Sequence, residues 1–270
     1  MKITKSFLLK LFLIITLSLI TLSSFSQSDS VSLKKEKALM IAVGAANVLD
    51  TYLSAEQYKG TEFRVISENR SRISPKHLSH TLSQHGCFTS IDNRAGNSNE
   101  IAGMYQFHYY LYYNWPVSQN ISVQAGSGID AQLGVLYNTR NSNNPVQVDA
   151  LLQLSPSASI TYNNYLKNRH YVIRYHLATP LIGLMFSPNY GQSYYEIFSK
   201  GNYDHNIVPT TFISTPSLYQ SLTIDFQLFK RKPNSMIRIG YLGDLQQSKV
   251  NNIKRHHYAH LFLIGWVRHI

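Results

Sequence analysis

Residues 120–138 read NISVQAGSGIDAQLGVLYN. Ile121, Val123, Ala125, Ile129, Ala131, Leu133, Val135 and Tyr137 share one parity, and Ser122, Gln124, Gly126, Gly128, Asp130, Gln132 and Gly134 share the other. A two-residue period is that of a β-strand with one apolar and one polar face. Strands in soluble domains usually run about 5–6 residues, so an alternation sustained this long needs an equally tall apolar surrounding. A bilayer supplies one, and about 9–11 tilted residues cross its hydrocarbon. The run therefore predicts a strand of a transmembrane barrel. Ile129 and its parity would face lipid, and Gln124, Asp130 and Gln132 a polar lumen.

The same alternation recurs in EIAGMYQFHYYLYYNW (100–115), VQVDALLQLSPSASITYNN (146–164), YVIRYHLATPLIGLMF (171–186), LYQSLTIDFQLF (218–229), MIRIGYLGDL (236–245) and YAHLFLIGWVRHI (258–270). Turn signals rich in Gly, Pro, Asn or Ser separate the runs. Strands are expected near 36–50, 59–72, 77–91, 99–114, 119–138, 146–163, 169–187, 217–229, 235–248 and 254–270. Compact turns (ISPK, WPVSQ, YLKN, RKPNS) alternate with longer polar loops (YLSAEQYKG, DNRAGNSNE, NTRNSNNP, QSKVNN), as periplasmic and external connections do in outer-membrane barrels. The stretch 188–216 reads as a long external loop or as a further hairpin, giving ten strands or twelve. The short runs YYEIF and VPTTFI favour twelve. In the last strand Tyr258, Phe262, Ile264 and Trp266 share one face, as lipid contact requires. Tyr109, Tyr113 and Trp115 suit an interfacial aromatic girdle. The fold class is thus all-β, a transmembrane antiparallel outer-membrane β-barrel of about 10–12 strands.

The first residues agree with export. MKITKSFLLK carries three lysines and no acid, LFLIITLSLITL is an apolar core, and SSFSQ offers small residues at Ser24 and Ser26. This pattern is that of a signal peptide over 1–26, too short for a stable span, leaving a barrel domain over 27–270. Loss of Lys2, Lys5 and Lys10 takes the net charge from +11 to +8. Scattered basic residues without a nucleic-acid motif exclude nucleic acid as the expected partner and suit anionic lipid or lipopolysaccharide of the cell outer membrane. The chain is 44% hydrophobic but only 14% charged, with 19 tyrosines. A soluble domain would carry about 25% charge. Cys87 is the only cysteine, so no intrachain disulfide can form.

By parity the lumen should hold Gln124, Asp130, Gln132, Asp149, Gln153, Arg174, His176, Asp225, Arg238 and Asp244, joined by Glu62, Arg64, Glu68 and Arg70. Acids and bases in similar numbers would pair and fill a narrow interior, since an unpaired charge away from water is costly. The same groups could line a selective channel. A hydrolase is the rival: the hairpin around Leu166 brings His176 roughly opposite Ser157, with Ser159 one step away and Asp149 as the orienting acid. No nucleophile elbow surrounds either serine. No cofactor is expected, and no histidine pair has a metal-ligand setting; His256 and His257 are adjacent, so a strand sends them to opposite faces.

VLDTYLSAEQYKGTEFRVISE, DNRAGNSNEIAG, LYNTRNSNNPVQV, FSPNYGQSYYEIFS and GYLGDLQQSKVN resemble the recurrent blocks of a Bacteroidota family, domain of unknown function 3316. The resemblance spans essentially the mature chain. It implies an exported, outer-membrane, porin-like barrel of a Gram-negative bacterium and no activity. Several blocks are loops that would converge at one rim, where a glycan or a lipid headgroup could bind a polar surface. The sequence leaves three readings open for a monomeric barrel: restricted passage of a small solute, a surface-binding role, or a lipid or acyl hydrolase on His176 with Ser157 or Ser159.

Overall fold

A computed structural model describes residues 35–73, 77–142, 144–166, 169–228 and 234–270. The leader expected at 1–26 and parts of the turns ISPK, YLKN and RKPNS lie outside these residues. Twelve strand segments form: β1 (Lys35–Asp50), β2 (Tyr58–Arg72), β3 (Leu78–Asn93), β4 (Asn99–Pro116), β5 (Ile121–Asn138), β6 (Val146–Leu166), β7 (Arg169–Ala178), β8 (Ile182–Phe186), β9 (Ile207–Thr211), β10 (Leu218–Phe226), β11 (Ser235–Val250) and β12 (Ile253–His269). Ten of them close an antiparallel ring, β1 through β7 followed by β10, β11 and β12, which returns to β1. The first and last strands meet there, with Ile270 N–H donating to Lys35 O at 2.8 Å.

The twelve-strand option is corrected. YYEIF is not a strand but a short helix, α1 (Tyr194–Phe198), nucleated by a Ser193–Glu196 capping box. β8 and β9 do not add to the circumference; they continue β7 and β10 upward. β8 pairs the upper part of β6 (Ala150–Leu154) while β7 pairs its lower part (Ser157–Leu166).

Cross-strand partners traced once round the ring run Ala158, Leu177, Gln220, Gly243, His260, Ala45, Thr61, Ser90, Ile101, Tyr137 and Val146. The path leaves β6 at 158 and returns at 146, a stagger of 158 − 146 = 12 residues. Closure with such a stagger requires the strands to tilt, by about 35–45° in known barrels.

Outward positions are apolar all round. Leu39, Ile41 and Val43 are each 51% exposed, and Ile129, Leu133, Leu152, Ile160, Leu222, Phe262, Ile264 and Trp266 stand out in the same way. A belt of this kind is stable only against hydrocarbon. Among the described residues no helix is long and apolar enough to cross a membrane.

The inward face departs from a uniformly polar lumen. On β1, β11 and β12 part of it is aliphatic: Met40, Ala42, Met236, Leu242, Leu261, Leu263 and Val267 are buried in one cluster with Ile66 and Val172. The glycines of β5 make space rather than polarity. A Cβ on Gly128 would lie 2.5 Å from Tyr110 Cδ1, and one on Gly134 would lie 2.5 Å from Met104 Cγ. Bulky inward side chains of β4 thus lie over the bare backbone of β5. Gly128→Val should lower the unfolding free energy by about 1–3 kcal/mol through overpacking. Ser127→Ala, on the outward face, should stay within about 0.5 kcal/mol; urea titration read by heat-dependent gel mobility distinguishes the two.

Candidate functional site

The interior is organised in layers, each set by strand parity. Nearest the chain termini, three guanidinium groups meet three carboxylates. Arg238 bonds Asp225 at 2.6 and 2.7 Å, Glu36 at 2.6 Å and Glu68 at 2.7 Å. Arg174 pairs with Glu36 at 3.1 Å, and Arg70 with Glu68 at 3.0 Å. Arg238 is 1% exposed. Its charge is tolerable only because donors and acceptors are matched in number and geometry.

Half-way up, Arg64 contacts Glu62, Asp244 at 2.9 Å and Gln106 at 2.9 Å. Glu62 also takes Thr89 at 2.9 Å and His257 at 2.5 Å. Gln106 passes the network on to Gln132 at 2.9 Å and to Asp244 at 3.0 Å. At the upper rim Arg255 bridges Asp50 and Asp149, both at 2.9 Å, and Gln132 donates to Asp149 at 2.6 Å. Asp149 therefore belongs to a rim ion pair, and the expectation that it orients His176 is corrected.

The β6–β7 register also differs from expectation. His176 faces Ser159 directly, and Ser157 faces Ala178. The contact forms diagonally instead: Ser157 Oγ lies 2.7 Å from His176 Nε2, and Tyr112 OH lies 2.8 Å from that hydroxyl and 3.0 Å from the ring nitrogen. Ser159 turns to Gln124 at 3.0 Å, and Gln124 contacts Asn114. Among the described residues no carboxylate hydrogen-bonds His176. Gln153 reaches Thr215 Oγ1 at 3.5 Å.

Two cavities occupy the space left over. The upper is about 980 Å³ with its open margins included, and the lower about 360 Å³. His108, Tyr110 and Tyr219 line both, so these three side chains form the partition. Asp130 holds it: His108 Nδ1 lies 2.7 Å and Tyr110 OH 2.6 Å from its Oδ1, and Ser155 contacts the other oxygen. Tyr219 completes the layer, its ring centroid 5.4 Å from that of His108 and 5.6 Å from that of His176. His108 fell on the polar parity of the 100–115 run, but Tyr110, Tyr112 and Tyr219 escaped the sequence reading. The signal was present: in HYYLYYN the even positions share the inward parity of Gln106, although tyrosine there reads as membrane-facing.

Loops close the upper mouth. Tyr52 OH donates to Gln192 O at 2.9 Å, Asn141 Nδ2 to Leu53 O at 3.1 Å, and Asn251 Nδ2 to His205 O at 2.8 Å and Ser187 O at 3.1 Å. Leu53 is buried against Val48, Ile91 and Leu136. Burial, with Asp50 and Glu196 nearby, pushes the Tyr52 phenol up to about 12, so it stays a donor. The Ser193 backbone and hydroxyl hold Glu196 below the usual carboxylate range.

A closed ring, an apolar belt and a filled, charge-paired interior define an outer-membrane β-barrel. The chain belongs to the family described as a protein of unknown function (DUF3316), whose model matches residues 8–270. In structure it is similar to the outer-membrane protease OmpT from Escherichia coli, at 6% identity over 91% of this chain and 99% of that one, TM-score 0.48. It is also similar to the transport unit of the autotransporter AIDA-I from Escherichia coli (7%, 95% and 97%, 0.44) and to Ail, the attachment invasion locus protein of Yersinia pestis (8%, 88% and 99%, 0.35). No curated protein matches the chain in sequence.

Removing one partner from the lower network tests its role. Arg238→Met leaves three carboxylates short of a cation and should cost about 3–5 kcal/mol. Arg238→Met with Asp225→Leu should recover part of that loss in the same urea titration.

Proposed function

We propose that this barrel is a non-enzymatic, plugged small-solute channel of a Gram-negative, Bacteroidota-type outer membrane, exported by its leader and working as a monomer among lipid and lipopolysaccharide. The observation that carries the reading is the pair of cavities inside the barrel whose linings share His108, Tyr110 and Tyr219. A purely structural interior has no need of two chambers that share a wall one side chain thick. Asp130 fixes His108 and Tyr110 on the β5 side, while Tyr219 comes from β10 across the barrel. Small rotamer changes of these rings would join the chambers, and side chains of this kind move far faster than the backbone of a packed barrel. Gln124 and Arg70 below, with Gln132, Asp149, Gln153 and Asp244 above, would be the groups a passing solute meets; Arg174, Arg238 and Asp225 would brace the wall.

Single-channel conductance in a planar bilayer tests this. The wild-type protein should open rarely, and Tyr219→Ala should open several-fold more often or wider. Asp130→Ala, which frees the other two rings, should change ion selectivity as well. Silence from both variants, with the barrel shown intact by its heat-dependent gel shift, would remove the channel.

The hydrolase remains a second reading because Ser157 Oγ and His176 Nε2 are 2.7 Å apart, a nucleophile–base distance. Against it, the serine hydroxyl also donates to Leu177 O at 3.1 Å, and no acid orients the ring. Ester hydrolysis by the purified barrel that vanishes in Ser157→Ala would favour this reading over the channel.

A further inference from the structure

Loops hydrogen-bond to one another across the upper mouth, and the upper chamber touches the barrel wall where that wall is irregular. Among the described residues β9 pairs only with β8, and the upper part of β11, Gln246–Val250, pairs only with β12. Residues 212–217 fill the interval as a compact turn. Thr215 N–H donates to Thr211 O at 2.9 Å, and Thr211 N–H to Ser214 Oγ at 2.9 Å. The turn is tied to its neighbours by single bonds: Phe212 N–H to Leu181 O at 3.0 Å, Lys249 N–H to Ser214 O at 2.9 Å, Gln247 N–H to Ser217 Oγ at 3.1 Å, Ser217 Oγ to Gln247 O at 3.4 Å and Thr179 Oγ1 to Ser217 O at 2.8 Å. Among the described residues the other neighbouring strands of the ring pair by ladders, so this interval is held by side-chain and single backbone bonds where a ladder is interrupted.

Both sides of the turn are informative. Outward, Phe212 is 50% and Ile213 89% exposed, next to the lipid-facing Leu181 and Ile182. Inward, Thr215, Ser217, Thr179 and Pro180 line the upper chamber. The chamber itself is two-natured. Met104, Leu136 and Met185 offer apolar surface, and Asp149 and Arg255 offer polar groups. Asp149 Oδ1 and Arg255 Nη1 lack hydrogen-bond partners although both residues are largely buried.

From this juxtaposition we infer that the 212–217 turn is a lateral portal through which an amphiphile from the outer leaflet loads the upper chamber. Its apolar body would lie along Met104 and Met185, and a polar head that both donates and accepts would take Asp149 and Arg255. A route from water would have to open the loop cap, where several polar contacts must break together. A route from the bilayer would displace one short turn whose outward side chains, Phe212 and Ile213, are apolar and exposed. The inference concerns loading and holds whether or not the His108–Tyr110–Tyr219 partition opens.

The test is covalent capture by Met104→Cys in lipid vesicles, read by intact mass. One reagent is an alkyl maleimide dissolved in the bilayer; the other is a sulfonated maleimide added in water. The same thiol meets both, so its intrinsic reactivity cancels once the two rates are scaled to those with a free thiol. The wild-type chain, whose Cys87 is fully buried, measures background. The bilayer-dissolved reagent should label the introduced thiol several-fold faster. Loosening the turn with Thr179→Val and Ser217→Ala should raise that rate, and loosening the cap with Tyr52→Phe should not. Faster labelling from water, a rate set by the cap and not the turn, or no labelling until the protein is unfolded in detergent would each overturn the portal. Conductance is a separate readout, so failure of the channel and failure of the portal are distinguishable.

Discussion

A backbone N–H or C=O that faces hydrocarbon has no water to bond, and leaving it unpaired costs several kcal/mol. That constraint organises the whole molecule. It forces the strands into a closed ring, and closure of ten strands here comes with a twelve-residue stagger and hence a tilt. Tilt and parity together decide which side chains meet inside. Asp130 and His108 are partners because β4 and β5 run in this register, and Arg238 collects acids from β1, β2 and β10 because the ring brings those strands round to it. The interior chemistry is a consequence of how the backbone satisfies itself.

The interior then has a problem of its own. A ring of this width is too narrow for bulk water and too wide for small residues alone. Two solutions share it. On β1, β11 and β12 aliphatic side chains close one wall as a soluble core would. At other levels of the lumen, arginines of β2, β7, β11 and β12 reach across and are neutralised by carboxylates from several strands. A buried ion pair gives little net stability against an apolar replacement. Its persistence in such density is better explained by geometry, since long charged side chains bridge a lumen that aliphatic residues cannot span. The room above the β5 glycines is taken by β4 side chains such as Tyr110 and Met104, and the cavities lie beyond them, with Tyr110 lining both.

Much of the fold was legible because period-two patterning survives in a barrel: lipid makes one face uniformly apolar. The runs beginning at Glu100, Ile121 and Val146 became β4, β5 and β6 within a residue or two. What parity could not tell was the character of the inward face, because aliphatic residues there look the same as those facing lipid; Leu261 and Leu263 inward alternate with Phe262 and Ile264 outward. Tyrosine raised the same ambiguity for Tyr110, Tyr112 and Tyr219. The mistaken reading of YYEIF has a local cause. Its β-rich composition is overridden by Ser193 and Glu196, whose capping box starts a helix where the chain has left the sheet.

Register explains the rest of the site. Sequence alone placed His176 and Ser157 in one hairpin but misjudged the pairing by two residues, and parity is blind to an even shift. The contact formed nevertheless, because a diagonal pair on one face is within reach of long side chains, and Tyr112 completes it from across the barrel. The same blindness hid the four extra residues in the wall. Between the level of Ala178–Tyr219 and that of Ile182–Thr211, one chain advances four residues and the other eight. An even excess keeps inward residues inward on both sides, so the alternation reads as unbroken. The surplus can only leave the sheet plane as a turn. It does so beside the upper cavity, at the level where β10 has handed over to β9 and β11 pairs with β12 alone.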